Sequence, residues 1–205
     1  MNDLLSEKYH EYKKNYSNLK EWLADSAIEE CWAVGTIPAY SLEPYSSELQ
    51  GNTPGKILGK KKYSPAKNRQ KLFLDSNGDI IGEIRYSKFI ERKNDWIVYR
   101  SFYLRSENEV IGLIFGSALE NKDDAILNKI ILVELDGGII KKSYSHSYDN
   151  KKSERSYIYN DNIITNIEER VWLNKYVEHF YSIEKIEPLK IVEKVQSEVI
   201  PIYPE

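Results

Sequence analysis

The sequence predicts an α+β chain, mainly β: an antiparallel meander of about eight strands, with an N-terminal amphipathic helix packed on it. Three observations lead there. A stripe of apolar residues with helical spacing opens the chain. A strand–turn–strand pattern recurs from residue 72 onward. Sixteen tyrosines stand among 205 residues, and tyrosine favours strands and half-buried faces.

The helix comes first. Leu5, Tyr9, Tyr12, Tyr16, Leu19 and Leu23 follow one another at intervals of three and four, which places them on one stripe of a helix over residues 1–24. Asn2 or Asp3 is positioned to act as its N-cap, with Glu7 in the first turns. The stripe is expected to lie on the chain's own sheet. Residues 25–71 read as irregular, because Pro38, Pro44, Pro54 and Pro65 recur with Gly35, Gly51, Gly55 and Gly59.

The meander occupies residues 72–187. Phe73 to Ile84 and Tyr103 to Ile114 are two copies of one pattern: a strand, a polar turn, then a pair of β-branched residues opening the next strand. Val133 to Ile140 and Tyr157 to Ile164 are shorter versions. Asn77-Gly78 and Gly137-Gly138 permit the positive φ of tight primed turns. Charged connections at 92–95, 121–124 and 149–152 join successive hairpins and are too short for parallel crossovers. Alternation places Ile80, Ile84 and Tyr86 on one face, with Glu83 and Arg85 on the other. Residues 171–186 fit a strand or a helix, and residue type favours strand. Pro188, Pro201 and Pro204 make residues 188–205 an extended tail or edge strand. The length fits a single domain, 1–205.

Catalytic motifs are not apparent. The glycine–lysine stretch 51–62 is too short for a phosphate loop, and Ile57 stands where Ser or Thr is required. His10, His146 and His179 lie far apart without metal-ligand spacing. Ser145, His146, Ser147 and Asp149 cannot make a triad along one strand, because alternate residues face opposite ways. Glu168 and Glu169 are separated for the same reason. The lone Cys31 reads as a small buried residue and excludes an internal disulfide. No cofactor and no metal are expected. The N-terminus has no apolar signal region and no span is long enough to cross a membrane, so a cytoplasmic location is expected.

Charge layout is the most unusual feature. Glu21, Asp25, Glu29, Glu30, Glu43 and Glu48 fall in a stretch without Lys or Arg. Lys56, Lys60, Lys61, Lys62, Lys67, Arg69 and Lys71 then fall in a stretch without an acid. The two blocks either face each other or lie in solvent. The acidic stretch is the candidate surface for a basic protein partner. The basic run, with Tyr63 inside it, is the alternative candidate for nucleic acid. A third possibility is an enzyme whose site is assembled from distant residues. Its marker would be a deep polar pocket holding perturbed carboxylates or His146.

In type, the chain resembles immunity proteins that protect bacteria against their own polymorphic or contact-dependent toxins. Hairpin repeats such as Tyr157 to Ile164 are similar to repeats found near such systems. The resemblance implies a small, cytoplasmic, non-catalytic protein that binds and neutralises a toxin, often a basic one. It supplies no diagnostic motif and assigns no residue.

Overall fold

The structure, a computed structural model, describes residues 2–204, with side chains from Leu4 onward. The N-cap expectation at Asn2 or Asp3 falls on side chains outside those described. Thirteen antiparallel strands form one open sheet. They are β1 Glu29–Val34, β2 Lys56–Gly59, β3 Arg69–Leu74, β4 Ile80–Ile90, β5 Asp95–Arg105, β6 Glu109–Leu119 and β7 Leu127–Asp136. Then come β8 Ile139–Ser147, β9 Lys152–Asn160, β10 Ile163–Trp172, β11 Tyr176–Ile186, β12 Leu189–Val195 and β13 Glu198–Tyr203. From β3 to β13 spatial order follows chain order, as the meander predicts. β1 lies between β2 and β3.

The antiparallel meander stands, but the described residues hold thirteen strands where about eight were expected. The additional strands come from the 25–71 segment, where β1 and β2 form despite the prolines, and from the tail, where β12 and β13 make a closing hairpin. Residues 171–186 are the end of β10 and β11, as residue type indicated.

The opening helix is two helices, α1 Asn2–Tyr12 and α2 Tyr16–Ser26. Asn15 takes the cap position of α2, without a side-chain hydrogen bond to the helix. The break preserves the stripe: Leu5, Tyr16, Leu19 and Leu23 are buried, and Tyr9 and Tyr12 pack beside them. They lie against Phe102, Leu113, Phe115, Ile130 and Leu132 on one sheet face. The Tyr9 hydroxyl donates to the Leu127 carbonyl at 2.7 Å, and Arg100 Nη1 donates to the Tyr16 hydroxyl at 2.8 Å. Gly82 makes room for α2: a Cβ there would sit 2.6 Å from Leu23 Cδ1.

The opposite face is covered by residues 36–54, a strap that leaves the sheet at Gly35 and returns at Gly55. Those two glycines meet so closely that a Cβ on Gly35 would sit 2.6 Å from Gly55 Cα. The fully buried Gln70 amide pins the strap. Its Nε2 donates to the carbonyls of Gly35 and Ile37 at 3.0 and 2.7 Å, and its Oε1 accepts from Ala39 N at 2.7 Å. Leu42 then fills a cluster with Tyr103, Val110, Ile131 and Val133. Leu49 fills a second with Tyr157, Ile167, Tyr181 and Ile191.

Two local expectations are corrected. Ile80 does not share a face with Ile84 and Tyr86. A bulge at Ile81 puts Ile80 under the strap, beside Leu42, while Ile84 and Tyr86 pack with Trp32 and Val98. The 77–78 turn is not a primed pair either. Only Gly78 has positive φ, and Asp75 Oδ1 accepts from the amides of Asn77 and Asp79 at 2.9 and 3.0 Å. Gly137 and Gly138 both have positive φ, as a primed turn requires.

Candidate functional site

The acidic residues singled out in the sequence do not form one surface. Glu21 and Asp25 are exposed, one helical turn apart on α2. Glu29 and Glu30 lie on β1 and pair with the basic block: Glu29 with Lys60 at 2.8 Å and Glu30 with Lys71 at 3.1 Å. The two blocks therefore partly face each other. Glu48 lies in the strap, beyond the opposite face of the sheet.

Glu43 is 1% exposed. The strap drives it into the sheet, where Lys129 Nζ lies 2.9 Å away, Arg155 Nη1 3.7 Å away, and Ser143 Oγ donates at 2.9 Å. Burial alone would raise its pKa, but these two cations and the serine outweigh it and hold the carboxyl down at about 2. Arg155 also donates to Glu169 at 2.8 Å. Glu43 therefore locks the strap in place and is closed to a partner.

The basic run extends from the short edge strand β2 through the loop after it into β3. Lys56, Lys61, Lys62 and Lys67 are exposed and make no ion pair among the described residues. Lys60 and Lys71 are engaged as above. Arg69 stacks over the Tyr63 ring at 4.9 Å and donates to the Ser64 carbonyl at 2.6 Å. The Tyr63 ring also packs on Trp32, so it is occupied from within. Charged lysines on so short an edge also discourage another sheet from pairing there.

Two features were not expected. The first is a cavity of about 230 Å³ between the strap and β4–β7. Glu83 and Arg85 of β4 and Ser101 and Tyr103 of β5 line its floor, with Tyr40 and Asn52 from the strap. Glu83 is 2% exposed. Burial pushes its carboxyl up to about 7, against the pull of Arg85 and the Tyr103 hydroxyl. Glu83 Oε1 and Arg85 Nε are 3.8 Å apart, and neither has a hydrogen-bond partner among the described residues. The alternation of β4 placed Glu83 and Arg85 on the face away from Ile84 and Tyr86 but did not indicate that this face is covered. The missed signal lies downstream, in the unbroken apolar run Ile130 to Val133, which requires both faces of the neighbouring sheet to be covered.

The second is bare sheet. Past β8 neither helix covers the face that carries them, and Ile158, Tyr176 and Phe180 stand 45%, 52% and 46% exposed there. Between them Lys142, Glu154, Arg170 and Glu178 form a ladder of alternating charge across β8–β11, with contacts of 3.4, 3.9 and 3.3 Å.

His146 lies on the helix-covered face under Tyr9, their rings 5.2 Å apart, in a cleft with His10, Lys13 and Tyr148. Burial and Lys152 depress its pKa. Among the described residues no three His, Cys, Asp or Glu side chains gather to hold a metal ion, and no helix is long and apolar enough to cross a membrane. No family model, curated protein or solved structure matches the chain.

Proposed function

We propose that the protein is a non-catalytic binding protein of the immunity type, which engages and neutralises a cognate bacterial toxin through the bare face of β9–β11. The carrying observation is that face. Ile158, Tyr176 and Phe180 stand in solvent on the side of the sheet that α1 and α2 cover elsewhere. Aromatic residues are enriched at interface cores. The charge ladder beside them is self-neutralised, so the partner's contact surface is apolar-centred rather than of one sign. Glu21 and Asp25, exposed on α2 on the same side of the sheet, would speed encounter with a basic partner. A toxin as partner rests on the chain's resemblance in type to immunity proteins.

The test compares tagged wild type with a Tyr176→Ser/Phe180→Ser double variant in low-salt capture from the native cells. The expected result is one stoichiometric toxin domain on the wild type, recovered about tenfold less or worse on the variant. The chain alone, or a partner held equally by both, overturns the reading. Retardation of nucleic acid at low salt that disappears in Lys61→Glu/Lys62→Glu would instead assign function to the β2 edge.

A further inference from the structure

One atom each of Glu83 and Arg85, Oε1 and Nε, has no hydrogen-bond partner among the described residues and faces a partly open cavity. Buried polar atoms without partners are few in native proteins, and each calls for an explanation. The Arg85–Glu83 separation of 3.8 Å exceeds the roughly 3.2 Å limit of a hydrogen bond, so the two do not satisfy each other. Both are held in position. Glu83 faces Ser101 across the β4–β5 register, and the Arg85 guanidinium stacks over the Tyr99 ring at 5.2 Å. The cavity in front of them, at about 230 Å³, is below the roughly 300–1,000 Å³ of pockets for drug-sized ligands and far above what one water needs. Pro38, Ile114 and Ile131 add apolar walls to it.

The charges decide the ligand class. An anion would suit Arg85 and be repelled by Glu83. A cation would suit Glu83 and be repelled by Arg85. A neutral group with a donor beside an acceptor satisfies both. We propose that the cavity binds a small planar molecule through an amide edge, its N–H donating to Glu83 Oε1 and its C=O accepting from Arg85 Nε. This site lies on the strap-covered face and is independent of the docking face proposed above.

The ionised Glu83 carboxylate accepts the N–H more strongly than the neutral acid does. Tyr40 and Tyr103 are shifted upward, mainly by burial; Glu43, at the far end beside Lys129, is held at about 2. Gln70 and Leu72 face Arg85 and Glu83 from β3 and carry no charge.

The test is an NMR titration of the full chain with acetamide, 2-pyrrolidinone and uracil at pH 6 and pH 8. The expected result is saturable shifts at Glu83, Ser101 and Tyr103 with at least one probe, and an affinity higher at pH 8 by up to about tenfold, as a group titrating at about 7 ionises. Glu83→Gln, which keeps the shape, is expected to flatten the pH dependence. Arg85→Met is expected to weaken binding at both pH values and to move the rise in affinity to higher pH, because it removes the cation that holds Glu83 down. Failure of all three probes to saturate at either pH means the cavity holds water only and overturns the proposal. Binding that is flat with pH and equal in Glu83→Gln overturns it as well.

Discussion

Strands β4–β8 and β9–β13 belong to one continuous sheet but live in different surroundings. The first group is enclosed, with α1 and α2 on one face and the strap on the other. Its sequences show this: Val110 to Phe115 in β6 and Ile130 to Val133 in β7 run apolar without alternation, as strands buried on both faces do. The second group has the strap on one face only, and Leu49 reaches just far enough to cover Ile167, Tyr181 and Ile191. Its other face carries single apolar residues spaced by paired charges. Burial is thus concentrated in one half of the sheet, and one face of the other half is left uncovered.

The widest separation between the halves should appear on cutting into the enclosed one. Phe102 is fully buried and meets Tyr16 and Phe115 with ring centroids 6.1 and 5.7 Å away. Phe102→Ala should cost about 4 kcal/mol, measured by urea denaturation. A loss below about 1 kcal/mol would mean that the helices do not hold this half.

Glu43 tests the second cover. With its carboxyl held at about 2 against an ordinary 4.5, it contributes about 3 kcal/mol that is present above pH 4.5 and fades as pH falls toward 2. Glu43→Gln should lose about that much at pH 7, since it leaves Arg155 buried with Glu169 as its remaining close carboxylate. Amide exchange should rise first along residues 36–54, where the strap loosens. Unchanged exchange there would show that the Gln70 anchor alone fixes the strap.

The meander was legible because it is written locally. Turn residues such as Gly137-Gly138 and apolar pairs such as Ile163-Ile164 each specify a hairpin without reference to the rest of the chain. The helix stripe was legible for the same reason, although the break at Asn15 was not. The strap was hidden because it forms no ladder and so has no period. Its placement depends on Gln70, on the contact of Gly35 with Gly55, and on a Glu43–Arg155 pair separated by more than half the chain. The acidic cluster looked like one surface because its members are neighbours in sequence, but helix, strand and strap carry them to different places. The cavity inherits the same blindness: Glu83 faces inward only because the strap lies over it.

Glu83 gives the enclosed half a weakness of the opposite sign to Glu43. Its carboxyl is raised to about 7, so the folded state favours the protonated form. The associated stability is present below pH 4.5 and is lost, by up to about 3 kcal/mol, as pH rises through 7. Glu83→Gln should therefore stabilise the protein at pH 8 by about 2 kcal/mol and change little at pH 4, read as the pH dependence of the denaturation midpoint. A stabilising substitution at a buried position is the mark of a residue kept for something other than stability. A destabilised Glu83→Gln at pH 8 would instead make Glu83 a structural group.

The smallest expected effect is in the bare half. Phe180 sits 46% exposed opposite Glu168 on β10, and no core cluster includes it. Phe180→Ser removes little buried area, so stability should stay within about 0.5 kcal/mol of wild type. The backbone ladder of β11 with β10 and β12 does not depend on that side chain. A loss near that of Phe102→Ala would show that β9–β11 bury more than the sheet's open face allows, and the contrast between the two halves would collapse. An unchanged midpoint together with lost capture of a partner would instead separate binding from folding at a single residue.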